Sequence, residues 1–91
     1  MLAIPDAVDT GMRRFAAAVS DGLEAIAARA ERRAAPPIPD LRAHFAAAAA
    51  LVTESVARIA DPEVIAHLES RLALYRELVP RIERLAADVD A

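Results

Sequence analysis

The sequence contains no cysteine, tryptophan, lysine, asparagine or glutamine, and only two of its 91 residues are glycine. Without cysteine the chain cannot form disulfides, a thiolate metal site or a cysteine nucleophile. Met1 to Thr10 also lacks the basic and apolar regions of a secretory signal. Because small secreted proteins commonly depend on disulfides, these absences predict a cytoplasmic protein.

Aromatic residues are equally scarce, since Phe15, Phe45 and Tyr75 are the only three. The hydrophobic fraction is 56%, but 24 of the residues behind that figure are alanine. The core must therefore be thin. Alanine, arginine and glutamate are strong helix formers, and their abundance predicts an all-helical chain.

Long apolar runs and dense charge are also missing. The longest uncharged stretch within a helical pattern, Ala43 to Thr53, is far shorter than the roughly 20 residues that a membrane span needs. The net charge is −3, and no block of like charges stands out. We therefore expect neither a membrane-spanning segment nor a nucleic-acid-binding surface.

Proline residues divide the chain into three predicted helices, at residues 6–34, 39–60 and 62–88, with a stiff connector at 35–39. At the start of the first helix, Asp6, Asp9 and Thr10 can accept hydrogen bonds from the first free N–H groups. At the start of the third helix, Asp61 precedes Pro62. The predicted fold is an all-α antiparallel three-helix bundle, or an extended helical hairpin with a third helix. Pro80 lies inside the third helix and predicts a kink or a break there.

Each predicted helix carries apolar residues at steps of three and four, the spacing that places them on one face. In the first helix this stripe comprises Val8, Met12, Phe15, Val19, Leu23, Ile26 and Ala30. The third helix has the broadest apolar face, because Leu74, Leu78 and Leu85 extend it to an arc of roughly 180°. These leucines either contact both neighbouring helices or form a second interface with a protein partner or another copy of the chain.

Residues for catalysis or for cofactor and metal binding are sparse. His44 and His67 are the only histidines, and neither follows a glutamate at the spacing that di-iron bundles use. The serines Ser20, Ser55 and Ser70 lie in helical patterns without the glycine-rich turn of a nucleophile elbow. We therefore predict no catalytic residue, no cofactor and no metal.

A basic cluster, Arg29, Arg32 and Arg33, closes the first predicted helix. Cations at this end favourably oppose the negative end of the helix dipole. If a membrane surface is close, the same three guanidinium groups form a candidate patch for phosphate or lipid headgroups.

Residues Leu23 to Ala50 consist of an alanine-rich helix with a basic end, a proline cluster, Pro39-Asp40-Leu41 and a second alanine-rich helix. This segment resembles the soluble C-terminal region of fusaric-acid-resistance-like (FUSC) inner-membrane proteins. Members of that family are exporters of aromatic acids and toxic compounds. The resemblance implies a detached cytoplasmic piece at the inner face of the inner membrane, and it assigns no functional residue to this chain.

The sequence thus favours a non-catalytic helical interaction or scaffold module. Leu74, Leu78 and Leu85 are the predicted partner contacts. The alternative is a small helical regulator or enzyme with a ligand pocket between its helices, for which convergent polar groups inside the bundle would be the mark. Only Tyr75 among the stripe residues offers such a group.

Overall fold

The structure, a computed structural model, describes residues 4–90 and places three α-helices in them, with no strand. They are α1 (Asp6–Ala30), α2 (Leu41–Val56) and α3 (Pro62–Asp90). Each helix contacts the other two, so the chain forms a three-helix bundle about 49 Å long. The all-α prediction is confirmed; of the predicted domain, residues 1–3 and 91 lie outside the described range.

The helix α1 begins at Asp6, as predicted, but without the expected side-chain cap. Pro5 precedes the first turn, and no side chain from residue 4 onward caps the free N–H groups of that turn. Asp6 and Asp9 instead lie within that turn, where their carboxylates oppose the positive end of the helix dipole. Asp9 also pairs with Arg13 at 3.0 Å, one helical turn further on.

The helix α1 ends at Ala30, four residues earlier than predicted. Arg32 has a positive φ of 56°, which takes the backbone into the left-handed region. The N–H of Arg33 then donates to the carbonyl of Ala28 at 2.8 Å, and the N–H of Arg32 donates to that of Arg29 at 3.1 Å. This pair of bonds is the Schellman arrangement, which normally uses glycine at the left-handed position.

Both ends of α2 lie inside the predicted range of 39–60. Asp40 stands before the helix as its N-cap and accepts a hydrogen bond from the N–H of Ala43 at 3.1 Å. The end comes at Val56 because the next bonds reach back only three residues, from Arg58 to Ser55 and from Ile59 to Val56. Such bonds tighten the last turn and stop the α-helical pattern.

The start of α3 confirms the prediction. The Asp61 carboxylate accepts a hydrogen bond from the N–H of Glu63 at 2.9 Å, and Pro62 takes the first helical position. The helix runs to Asp90 and continues through Pro80, so a break there is wrong. A kink that leaves the helix continuous stays a prediction.

The core consists of two clusters along the bundle that meet at a layer of three aromatic rings, one from each helix. Phe15 is fully buried at the centre of this layer. Its ring centroid lies 6.1 Å from that of Phe45, edge to face, and 4.6 Å from that of Tyr75. The upper cluster is built on Phe15, Ala18, Ile26, Leu41, Ala48, Val79 and Ile82, and the lower cluster on Val8, Met12, Val52, Val64, Leu68 and Leu72.

The buried face of α1 is broader than the predicted stripe. Leu23 is 45% exposed, whereas Gly11, Ala18 and Ala25 are buried. The reason is that α1 packs against two helices, so its buried face includes small residues beside the large apolar ones. Periodicity of large side chains alone could not reveal this second strip.

Candidate functional site: the outer face of the third helix

Two large apolar side chains of α3 lie outside the bundle. Leu74 is 65% exposed and Leu85 is 46% exposed. Leu78, between them, is half-buried and packs against the upper cluster. Contact with the neighbouring helices therefore covers part of Leu78, whereas Leu74 and Leu85 keep much of their surface exposed.

The three leucines belong to a longer pattern. At about 100° per residue they fall within an arc of about 40°, and residues at alternating steps of four and three extend the same line in both directions. We call this set the outer stripe; it comprises His67, Arg71, Leu74, Leu78, Arg81, Leu85 and Asp88. The spacing is that of a heptad repeat, the pattern by which one helix packs along another.

The charged residues along this surface were not identified as site residues from the sequence. Glu77 and Arg84 flank the outer stripe, and Arg81 and Asp88 lie on it. In residues 4–90 none of these four forms an ion pair, although Glu77 and Arg81 lie one helical turn apart. The continuing three-four spacing beyond the leucines is the signal that could have found Arg81 and Asp88, and Glu77 and Arg84 each precede a leucine of the stripe.

At the lower end of the outer stripe, Arg71 is already engaged by an aromatic residue. Its guanidinium donates a hydrogen bond to the hydroxyl of Tyr75 at 2.7 Å and lies 5.7 Å from the centre of the same ring. Arg71 is half-buried, and its position is therefore fixed relative to α3.

A different surface, a cleft of about 360 Å³, lies where α2 faces α3. Its lining consists of Arg42, Phe45, Arg76, Val79 and Pro80. The Arg76 guanidinium lies 5.9 Å from the centre of the Phe45 ring. The other guanidinium, that of Arg42, is held elsewhere by an acidic partner.

That partner is Glu83, whose two carboxylate oxygens accept hydrogen bonds from Arg42 at 2.8 and 2.7 Å. These bonds, and after them the attraction between the opposite charges, raise the pKa of Arg42 above its ordinary value. The pair links the start of α2 to the upper part of α3. It also neutralises one of the two cations at the cleft.

The interior of the bundle is apolar. In the described part of the chain, no polar or charged side chain is buried, and no three His, Asp or Glu residues come close enough to hold a metal ion.

The arginine cluster at the end of α1 is partly occupied by acidic residues. Arg29 pairs with Asp90 at 2.9 Å, which ties the end of α1 to the end of α3. Arg33 pairs with Glu31 at 2.8 Å, and Arg32 occupies the left-handed position of the helix end. The three residues are neighbours, and an anion binding there would compete with two carboxylates.

None of the three helices combines the length and the apolarity needed to cross a membrane, over the range that the structure covers. Comparison of the chain with models of protein families, with characterised proteins and with solved structures gives no match.

Proposed function

We propose that the protein is a non-catalytic helical interaction module, and that the outer stripe of α3 is its docking surface. The observation that carries the proposal is the exposure of Leu74 and Leu85 on one face of a regular helix. Exposed apolar side chains grouped on one face favour association with another protein. Their heptad spacing fits a helix as the bound element.

The physical state of the surface supports this proposal. Leu74 and Leu85 project from α3 rather than from a loop, and Leu78 anchors the same face to the core. A partner would therefore meet side chains that are already in position, which lowers the entropy lost on binding.

Site-specific photocrosslinking tests the proposal. A photoreactive phenylalanine analogue replaces Leu74 in cells that produce the full chain, and the matched control carries it at Ala73, which is also exposed but lies about 100° away on α3. We expect a discrete adduct from position 74 and none from position 73. Adding Leu85→Glu to the position 74 variant should remove the adduct.

Equal adducts from the two positions, or no adduct from either, would contradict the proposal. An adduct that survives Leu85→Glu would also count against it, because the two leucines would then not share one surface. Circular dichroism of each purified variant checks that the bundle is intact.

A second candidate function, a ligand-binding regulator, rests on the cleft between α2 and α3. The Arg76 guanidinium and the Phe45 ring together suit a small aromatic carboxylate. Titration with benzoate, followed by NMR, tests it: saturable shifts at Phe45 that are lost in Arg76→Ala would support this function. Shifts scattered over the surface, or none, would eliminate it.

We also infer a cytoplasmic location and a relation to the exporter family that residues 23–50 resemble. DNA sequence upstream of the first codon tests that relation. An in-frame segment encoding hydrophobic spans would support it, and a promoter with a ribosome-binding site directly upstream would count against it.

A further inference from the structure

We infer that the partner of the outer stripe is a second copy of the chain, with the two α3 helices paired antiparallel. This inference rests on the proposed function and names its partner. It comes from two oppositely charged pairs that face each other in one orientation, one on the stripe (Arg71 with Asp88) and one beside it (Glu77 with Arg84). The two-fold axis of the pair would pass close to residues 79 and 80.

In that orientation the apolar residues of the two copies lie opposite each other. Leu74 of each copy lies opposite Leu85 of the other, because both are the same distance from the axis along α3. Leu78 lies opposite Arg81, whose aliphatic stem covers the leucine while its guanidinium reaches water. The two most exposed leucines of α3 are thereby covered together.

The charges then match as well. Arg71 of one copy lies opposite Asp88 of the other, and Glu77 opposite Arg84, and the two-fold axis repeats each pair. Within residues 4–90, Glu77, Arg84 and Asp88 form no ion pair of their own, so pairing costs no internal salt bridge. A parallel arrangement loses these matches, since like residues would then lie side by side.

The contact is short. The segment from His67 to Asp88 spans about 33 Å of helix. Three leucines from each copy form its apolar part, and contacts of this size are typical of weak, reversible association. We therefore expect a reversible monomer–dimer equilibrium that shifts toward the monomer on dilution.

Charge exchange between two variants tests the pairing. In a homodimer, Glu77→Arg places the new arginine opposite Arg84, and Arg84→Glu places the new glutamate opposite Glu77. By sedimentation equilibrium we expect each variant alone to associate about tenfold more weakly than the original chain. An equimolar mixture should recover association, because the arginine introduced at position 77 of one variant then faces the glutamate introduced at position 84 of the other.

A spin label measures the orientation directly. The chain has no cysteine, so Ser70→Cys on exposed α3 supplies one attachment site per copy. In the antiparallel pair two labels at residue 70 lie about 29 Å apart along the axis, whereas a parallel pair places them within about 15 Å. Electron–electron dipolar spectroscopy distinguishes the two distances.

The results separate the inference from the proposed function. A monomer at 500 μM, a mixture that does not recover association, or the shorter label distance would overturn the antiparallel pair. If position 74 still yields a crosslinked adduct, at a mass other than twice that of the chain, the docking surface remains and its partner is a different protein. If that adduct is also missing, both conclusions fall.

Discussion

The missing side chain of Gly11 lets α1 approach Leu51 of α2 closely. A Cβ atom at residue 11 would come within 2.6 Å of the Leu51 Cδ1 atom, well inside van der Waals contact. At Gly22, the other glycine of α1, a Cβ atom would meet Ile38 and Pro39 only at an ordinary 3.9 Å. The two glycines therefore make different contributions to the packing.

Substituting each glycine by alanine should show this difference. Gly22→Ala should raise the free energy of unfolding by about 1 kcal/mol, because alanine favours the helix and has room there. Gly11→Ala should gain less, since Leu51 must move aside, and in a Leu51→Ala background the gain from Gly11→Ala should approach that from Gly22→Ala. Urea denaturation followed by circular dichroism measures all three, and an equal gain at both glycines would show that α1 and α2 are not in close contact at Gly11.

Arg32→Gly should stabilise the end of α1. Arginine in the left-handed region costs about 1 kcal/mol relative to glycine, so we expect a gain of this size in the free energy of unfolding. The control is Arg32→Ala, which removes the same charge but keeps the unfavourable conformation and should give little change. If Arg32→Ala stabilises the chain as much as Arg32→Gly in thermal denaturation, charge rather than backbone conformation governs this position.

Pro80→Ala should stabilise α3. Alanine supplies the N–H that can donate to the Arg76 carbonyl, and the helix is already continuous through this position. We expect the free energy of unfolding to rise by about 1 to 3 kcal/mol. Pro62→Ala is the matched control, because Pro62 is the first residue of the helix and needs no such bond, so a similar rise there would contradict this explanation.

Binding of the arginine cluster to anionic vesicles should be weak until its carboxylate partner is removed. Asp90→Asn frees Arg29, and we expect it to increase co-sedimentation with vesicles containing phosphatidylserine. Replacing Arg29, Arg32 and Arg33 by alanine should abolish binding. Binding that persists after this replacement would exclude a lipid-facing role for the cluster, and vesicles of phosphatidylcholine alone, which carry no net charge, give the control.

Local chemistry explains which features were predictable from the sequence. Asp61 and Pro62 marked the start of α3 correctly, because a cap and a first-position proline act within a few residues. The end of α1 was missed, since arginine at residue 32 has no intrinsic preference for a positive φ. Only the packed bundle shows that Leu74 and Leu85 remain outside, because exposure depends on where the other helices lie.

The aromatic layer has a consequence for how cooperatively the bundle unfolds. Phe45 and Tyr75 are the side chains that pack against both core clusters, with Phe15 between them. The two clusters of this 49 Å bundle therefore share the packing of Phe45 and Tyr75. Replacing Phe45 or Tyr75 by alanine should give the backbone amides at the two ends of the bundle different levels of protection from hydrogen exchange. In the original chain, these two rings would then be what makes the two ends unfold together.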